Sequence, residues 1–527
     1  MALKRVKCQT LTLFYYYFPK KSRGFLIFNG KFINIFLQSA KNRSKITTFL
    51  DPRRHLLADA LSNDAKLNIS AENLDENRNN RREKVIVIKK RLWRDTMLVL
   101  VSRALTSMLV PALLSCGAYF FIYLRGFFVF NPIKSIKLFA SGGKKALGEL
   151  SVSLAGALGV GNIIGVAVAI SLGGAGSIFW MWVSAAVSMI LKYCEIVLSL
   201  KYRIPNGTEY FGGPMYYMRD GVKGNLGKVL AVCFAGLGVI SSASLGNLVQ
   251  SSAVVRTMEQ IGVAPVVTAG VMCVLCAAVV FGGYSGVSKF TSVAVPLMSA
   301  LYIFVSLRAM FLCRENIPSA FGQIFSGAFT PTSAAGGIFG FLLSSTVRQG
   351  TAKGAFSHEA GGGTAPMAHA QATPKTPAAQ GMIGIFEVFF DTFVMCSMTA
   401  LVILTSGVAT DGVFGAELVV RAFEVTCGSA AKYIISFSVG IFAFSTIVCW
   451  SYYGRMCLSF FSRNKTVEKV FLAVYCASII SGAFISEGNV WHLSDVSVSL
   501  MTVINLAAVV WLRKDIKKET DAVFRAR

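Results

Sequence analysis

The sequence predicts an all-α polytopic membrane protein, and three observations carry that prediction. Hydrophobic residues make up 54% of the 527 positions and charged residues only 15%, against about 25% charged in a soluble chain. The mean hydropathy is +0.58. The apolar residues fall in blocks of roughly twenty, the length that crosses about 30 Å of hydrocarbon as a helix, and lack the alternation of a membrane β-strand. Two of these blocks are broken by glycine-rich runs, Gly156–Gly165 and Gly354–Gly363.

In chain order, residues 1–96 stand apart. They hold 21 Lys and Arg against 8 Asp and Glu, half of the chain's net charge of +26. A polar stretch from Asn63 to Arg82 and the absence of any Met between Met1 and Met97 mark this segment as an atypical basic extension. It is expected to be a mis-called upstream start or a poorly ordered arm. No positive n-region followed by an apolar core and a small-residue cleavage site is present, so a signal peptide is not expected.

Eleven apolar helices are predicted in a transporter domain over 97–515. An extra N-terminal helix (97–123) comes first. A first repeat over 149–313 has helices at 149–172, 177–201, 227–258, 264–283 and 287–313. A second over 330–513 has a broken 330–371 and then 380–407, 430–461, 466–486 and 492–513. Residues 514–527 form a basic tail. Basic residues cluster in every second loop: Arg125 to Lys145, Lys201 to Lys228, Lys375, and Arg455 to Lys469. The intervening loops at 173–176, 262–265 and 486–489 carry none. The positive-inside rule then places the C-terminus in the cytoplasm and the protein, multi-pass, in the cell membrane. The same pattern accounts for the high net charge through loops and lipid head groups, so no nucleic-acid partner is expected. Five crossings per repeat invert the second repeat relative to the first, and each repeat opens on its broken helix.

A glycine costs a helix about 1 kcal/mol relative to alanine, and open backbone at membrane depth is tolerated only where it is buried in protein or lines a wet cavity. Paired interruptions at corresponding places in two halves therefore point to a transporter's binding site. A half-helix beginning in the gap offers free N–H groups and a positive dipole end to an anion. The half-helix ending there offers carbonyls to a hard cation. Gly159 and Gly161 allow close approach to the backbone and Asn162 adds a side-chain amide. In the second break Glu359 is a carboxyl group in apolar surroundings, a functional candidate by position, with His358 and Asp391 as further candidates. Glu195, with Lys192 three residues before it, is expected to form an interhelix bond or a local ion pair.

Enzyme motifs fail. The pair His358-Glu359 is followed by Gly362 where a zinc-binding His would stand, and three successive residues, Ser357, His358 and Glu359, do not form a triad. No P-loop occurs. The twelve cysteines are scattered and form no metal or disulfide pattern. No cofactor is expected.

Several runs resemble the alanine or glycine:cation symporter family: GALGVGNIIG (156–165), GGPMYYM (212–218), GNLVQ (246–250), KGAFSHEAGGGTAPMAHAQA (353–372), FSTIVCWSYYG (444–454) and WHLSD (491–495). The resemblance runs in order over about 97–515. It implies a LeuT-like fold of two inverted five-helix repeats and import of alanine or glycine with sodium by alternating access. It implies that Gly159, Gly161 and Asn162 meet the substrate carboxylate, that Gln250 contacts the polar end, and that Phe356, Thr446 and Trp450 shape a small pocket. By the same analogy the carbonyls of Ala157 and Val160 and the hydroxyl of Ser445 would coordinate sodium. The chain departs from the family pattern at Val160, Ser252, His358 and Gly362. Those departures keep open a proton-coupled or serine-type carrier, or a membrane sensor that binds without transporting.

Overall fold

The structure, a computed structural model, describes residues 78–140, 143–207, 209–329, 344–372, 376–410, 412–485 and 487–524. It divides into two compact units, Met1–Ile88 and Lys89–Arg527. Of the first, the description covers only the opening turns of helix α1 (Arg78–Tyr123). The expected extension to residue 77 lies outside the described residues, as does 330–343 at the start of the predicted sixth repeat helix.

Among its described residues, the regular structure of the second unit is helical apart from one hairpin. The first set of five begins with a broken helix, α2 (Gly143–Ala157) and α3 (Ile164–Gly173), joined by a 3-10 turn over Val160–Asn162 and bent by 56°. It continues with α4 (Ser177–Lys201), α6 (Asn225–Glu259), α7 (Pro265–Val280) and α8 (Gly283–Leu312), with the short α5 (Pro214–Gly221) before α6. Between α4 and α5, strands β1 (Ile204–Asn206) and β2 (Glu209–Phe211) pair antiparallel, Ile204 opposite Phe211, around a turn in which Gly207 takes φ +60°. Glycine takes that left-handed backbone without steric cost.

Helix α9 (Ile317–Ala328) leads to the second set. That set comprises a broken pair, α10 (Ser345–His358) and α11 (Ala365–His369), then α12 (Pro377–Thr405), α14 (Ala431–Phe461), α15 (Lys465–Ala483) and α16 (Glu487–Trp511). Helix α13 (Gly415–Cys427) is inserted before α14, and α17 (Arg513–Phe524) closes the described chain. Among the described residues, eight helices have the length and apolarity to cross a membrane, and the bent α2–α3 pair makes nine. The remaining two predicted spans are α7, apolar but shorter, and the 330–371 span, whose described part is the short pair α10 and α11.

Two boundaries differ from the sequence reading for a physical reason. The second interruption was expected over 354–363, yet α10 runs unbroken through Gly354 to His358. A Cβ on Gly350 would lie 2.2 Å from the Ser177 carbonyl oxygen, and one on Gly354 would lie 3.2 Å from Met181 Cγ. These two glycines, four apart, form a groove that seats α4, as small residues do between membrane helices. The break itself starts at Glu359 and uses Gly361 and Gly363, with φ of +86° and +76°. Likewise Gly156 stays helical and makes room for the Tyr453 hydroxyl, 2.6 Å from its notional Cβ. Helices α9, α13 and α17 were not foreseen; α9 and α13 are short and amphipathic, and α17 occupies what was read as a plain basic tail.

Burial follows the membrane pattern. Val274, Val293, Leu297, Phe304 and Phe311 are exposed on the outside, where an apolar surface faces lipid. The interior carries Asn162, Lys192, Glu195, Gln250, Glu359, Glu387 and Asp391, all buried.

Candidate functional site

The two breaks meet. A Cβ on Gly161 would lie 3.1 Å from both the Phe356 ring and the Ser357 Cα, so the first break rests directly on the last turn of α10. On its other side, a Cβ on Gly159 would lie 2.5 Å from Thr446 Oγ1 on α14 and 3.0 Å from Gln250 Oε1 on α6. A side chain at Gly159 would force a neighbour to move, and at Gly161 the fit is tight.

The first break is wired internally. The Gly159 amide donates to Asn162 Oδ1 at 3.2 Å and to the Ala157 carbonyl at 2.9 Å. The Val160 amide donates to Gln250 Oε1 at 3.1 Å, while the Val160 carbonyl accepts from Ile163 N. The Thr446 hydroxyl donates to the carbonyls of Ala155 and Leu158 at 3.0 and 3.4 Å, capping the end of α2. Ser445, beside it, bonds the Phe442 carbonyl. The residues expected at a sodium site, Ala157, Val160 and Ser445, thus lie on the two elements that Thr446 joins.

Asn162 and Asp391 form one unit. Helix α12 has a π-helical stretch over Phe389–Cys396, a device common at functional sites, which carries Asp391. Its carboxylate accepts from Asn162 Nδ2 at 2.6 Å, Ser357 Oγ at 3.0 Å and Thr392 Oγ1 at 2.8 Å. The first break and α10 are therefore held by one buried acid.

A cavity of about 30 Å³ lies beside this junction, lined by Phe356, Glu359, Trp450, Asp495, Thr364 and Thr502 among others. Glu359 sits in the left-handed region at φ +53°, rare for a non-glycine residue. It accepts the Trp450 indole N–H at 2.8 Å and the Thr364 hydroxyl at 2.6 Å. Phe356 packs on Trp491 with ring centroids 4.6 Å apart. At the edge of the cavity Lys353 lies over the Trp491 ring at 4.1 Å and 3.4 Å from Asp495, and Ser102 donates to Asp495 at 3.4 Å.

Of the predicted residues, Phe356, Glu359 and Trp450 face the cavity. Gly159, Gly161, Asn162, Gln250 and Thr446 cluster at the first break against α6, α10 and α14. His358 is fully buried and its Nδ1 accepts the Ala360 amide at 3.1 Å. Glu195 does not take Lys192 as a salt-bridge partner; it accepts from Asn505, and Lys192 turns instead to Glu387 at 3.0 Å. Glu387, Ser357, Lys353 and Asp495 were missed by the sequence reading. Glu387 had a readable signal, since a carboxyl group in an apolar helix marks a site by default.

Among the described residues no group of three or more His, Cys, Asp or Glu is placed to hold a metal ion.

The chain is 36% identical over 71% of its length to the sodium/alanine symporter AgcS of Methanococcus maripaludis, covering 83% of that protein. It is 32% identical over 78% of its length to a Bacillus subtilis protein named "Probable sodium/glutamine symporter GlnT", covering 86% of it. A solved structure of a Na⁺-coupled sialic acid symporter aligns with a TM-score of 0.45 at 13% identity, over 79% of this chain and 82% of that one. Residues 91–527 match the model of the sodium:alanine symporter family, and the chain belongs to that family of multi-pass membrane transporters.

Proposed function

We propose that the protein imports a small neutral amino acid, alanine or glycine, together with sodium by alternating access, from a cell membrane in which its C-terminus is cytoplasmic. The observation that carries this reading is the meeting of the two breaks beside a small cavity bounded by Phe356, Trp450 and Glu359. The substrate carboxylate binds the N-terminal end of α3, displacing Gln250 from the Val160 amide, and Asn162 holds the turn in place through Asp391. The ammonium group lies toward Glu359, whose two oxygens each accept one hydrogen bond and keep further lone pairs. The bulk of Trp450 and Phe356 limits the side chain by overlap.

Sodium binds on the carbonyl side of the first break, held by the carbonyls of Ala157 and Val160 and the hydroxyl of Ser445. Thr446 serves the substrate side in this reading. No bond is made or broken. One elementary charge moving through 100 mV supplies about 2.3 kcal/mol, roughly a 50-fold accumulation.

The test is uptake of labelled alanine, glycine, serine and glutamine into proteoliposomes, with and without an imposed sodium gradient. Sodium-driven uptake of alanine or glycine, lost in Asn162→Ala and Trp450→Ala that still fold, is the expected result. Uptake driven by a pH step alone, or binding with no uptake, overturns it.

A further inference from the structure

The second break has an end that sequence reasoning assigned to a cation. Helix α10 stops at His358 because Glu359 takes a left-handed conformation. The Gly362 amide, which would reach the His358 carbonyl in a continuing helix, bonds the Glu359 carbonyl instead. The His358 carbonyl is thus an orphan at the negative end of a helix dipole, and it is buried.

Its partner is Lys192. The ammonium donates to the His358 carbonyl at 2.9 Å and pairs with Glu387 Oε1 at 3.0 Å, with Lys192 and Glu387 side chains both fully buried. The other oxygen of Glu387 accepts from Ser153 Oγ at 2.8 Å and from His369 Nε2 at 3.0 Å, and His369 Nδ1 lies 2.9 Å from Gln380 Nε2. Glu359 and Glu195 add to the negative field around the lysine. One monovalent cation therefore sits between a helix-end carbonyl and a carboxylate, the oxygen environment an alkali ion takes. The network reaches both sides of the gap: His358 ends α10 and His369 ends α11. Ser153 ties it to α2, Glu387 belongs to α12, and Lys192 to α4.

We propose that Lys192 is a covalently tethered cation at the carbonyl end of the second break, standing where a free alkali ion would otherwise stand, so that the sodium that drives transport binds at the first break alone. This rests on the transport reading. It makes Lys192 a positioning residue: it touches neither substrate nor sodium, and it sets how far α10 and α11 stand apart.

The test compares the full-length protein with Lys192→Ala and with Lys192→Ala/Glu387→Gln. Melting in detergent is followed against sodium chloride and methylammonium chloride, with choline chloride holding the ionic strength. The wild type is expected to ignore methylammonium. Lys192→Ala is expected to gain several degrees from it, as a ligand that binds only the folded state must produce, and the double variant is expected to lose that gain. In proteoliposomes, Lys192→Ala is expected to need at least tenfold more sodium, with the Hill coefficient for sodium higher by about one, and to recover with methylammonium. A folded Lys192→Ala with no cation response in melting, or with the wild-type sodium curve, overturns the proposal. If Lys192→Ala does not fold, Lys192→Met/Glu387→Gln removes the pair together; full uptake with the wild-type sodium curve overturns the proposal, and at least a tenfold loss supports it. A methylammonium response in Lys192→Ala beside a wild type that takes up no amino acid would sink the transport reading and leave the tethered cation supported.

Discussion

Replacing Asp391 by alanine tests whether one buried acid holds the two breaks together. The substitution removes three hydrogen bonds, from Asn162 at 2.6 Å, Ser357 at 3.0 Å and Thr392 at 2.8 Å. Side-chain hydrogen bonds between membrane helices average about 0.6 kcal/mol, so three ordinary ones amount to about 2 kcal/mol. Bonds to a charged acceptor contribute about 1.5 to 3 kcal/mol each, so a carboxylate hub amounts to about 4 kcal/mol or more. All three donors are buried and two come from separate elements, so the larger value is expected. The assay is unfolding in detergent, with Asp391→Asn as a companion that keeps the volume and one acceptor oxygen and is expected to lose about half as much. Cycles pairing Asp391→Ala with Asn162→Ala and with Ser357→Ala are expected to show couplings of about 1 kcal/mol or more. A loss of about 2 kcal/mol or less, with no coupling, would refute the hub.

Other consequences are equally direct. Gly159→Ala drives a methyl to 2.5 Å from Thr446 Oγ1; overpacking of about 1 to 3 kcal/mol is expected to weaken alanine binding by about tenfold or more, measured by titration calorimetry. Trp450→Phe keeps one aromatic ring but removes the pyrrole ring that makes the 2.8 Å bond to Glu359, a loss of about 1 to 3 kcal/mol, read as a KM about 5 to 150 times higher; an unchanged KM would remove Trp450 from the site. Gly350→Ala, with its methyl 2.2 Å from a Ser177 backbone oxygen, is expected to cost stability although it lies outside the break, which separates a packing glycine from a hinge glycine. On the tail helix α17, burial raises the Asp515 carboxyl pKa, but hydrogen bonds from Lys201 and Tyr202 outweigh it and hold the carboxyl below its usual range. A carboxyl depressed in the folded state stabilises above its unfolded value and loses that contribution as pH falls through the folded one. The hydrogen-exchange protection factor over 513–524, corrected for the intrinsic rate at each pH, is therefore expected to stay high at neutral pH and to fall only in acid.

Much of this architecture was readable because the bilayer imposes a length on every span. The blocks at 97–123, 177–201 and 431–461 needed only hydropathy to be found. The hinge at 156–165 was legible because glycines there outnumber anything a stable helix tolerates. The second hinge was read five residues early, since Gly354 looks the same in sequence whether it breaks a helix or seats a neighbour against it. Glu387 went unnoticed, and of the two partners open to Glu195 the structure takes the interhelix bond from Asn505 while Lys192 turns to Glu387, because i,i+3 spacing is visible in a sequence while a partner nearly two hundred residues away is not. The short amphipathic helices α9 and α13 lacked the hydropathy that marks a span.

The sequence by itself therefore determined the class of protein, the presence of two interruptions and, through its motifs, its family. Those properties follow from local composition acting against a uniform solvent, the hydrocarbon, which treats each segment alike. Only the tertiary structure decided which polar groups meet: that Gly161 rests on Phe356, that Asp391 joins both breaks, and that Lys192 caps His358. Those choices depend on burial, where a polar group must find a partner from whatever element lies within three ångströms, and nothing in the linear chain states which element that is.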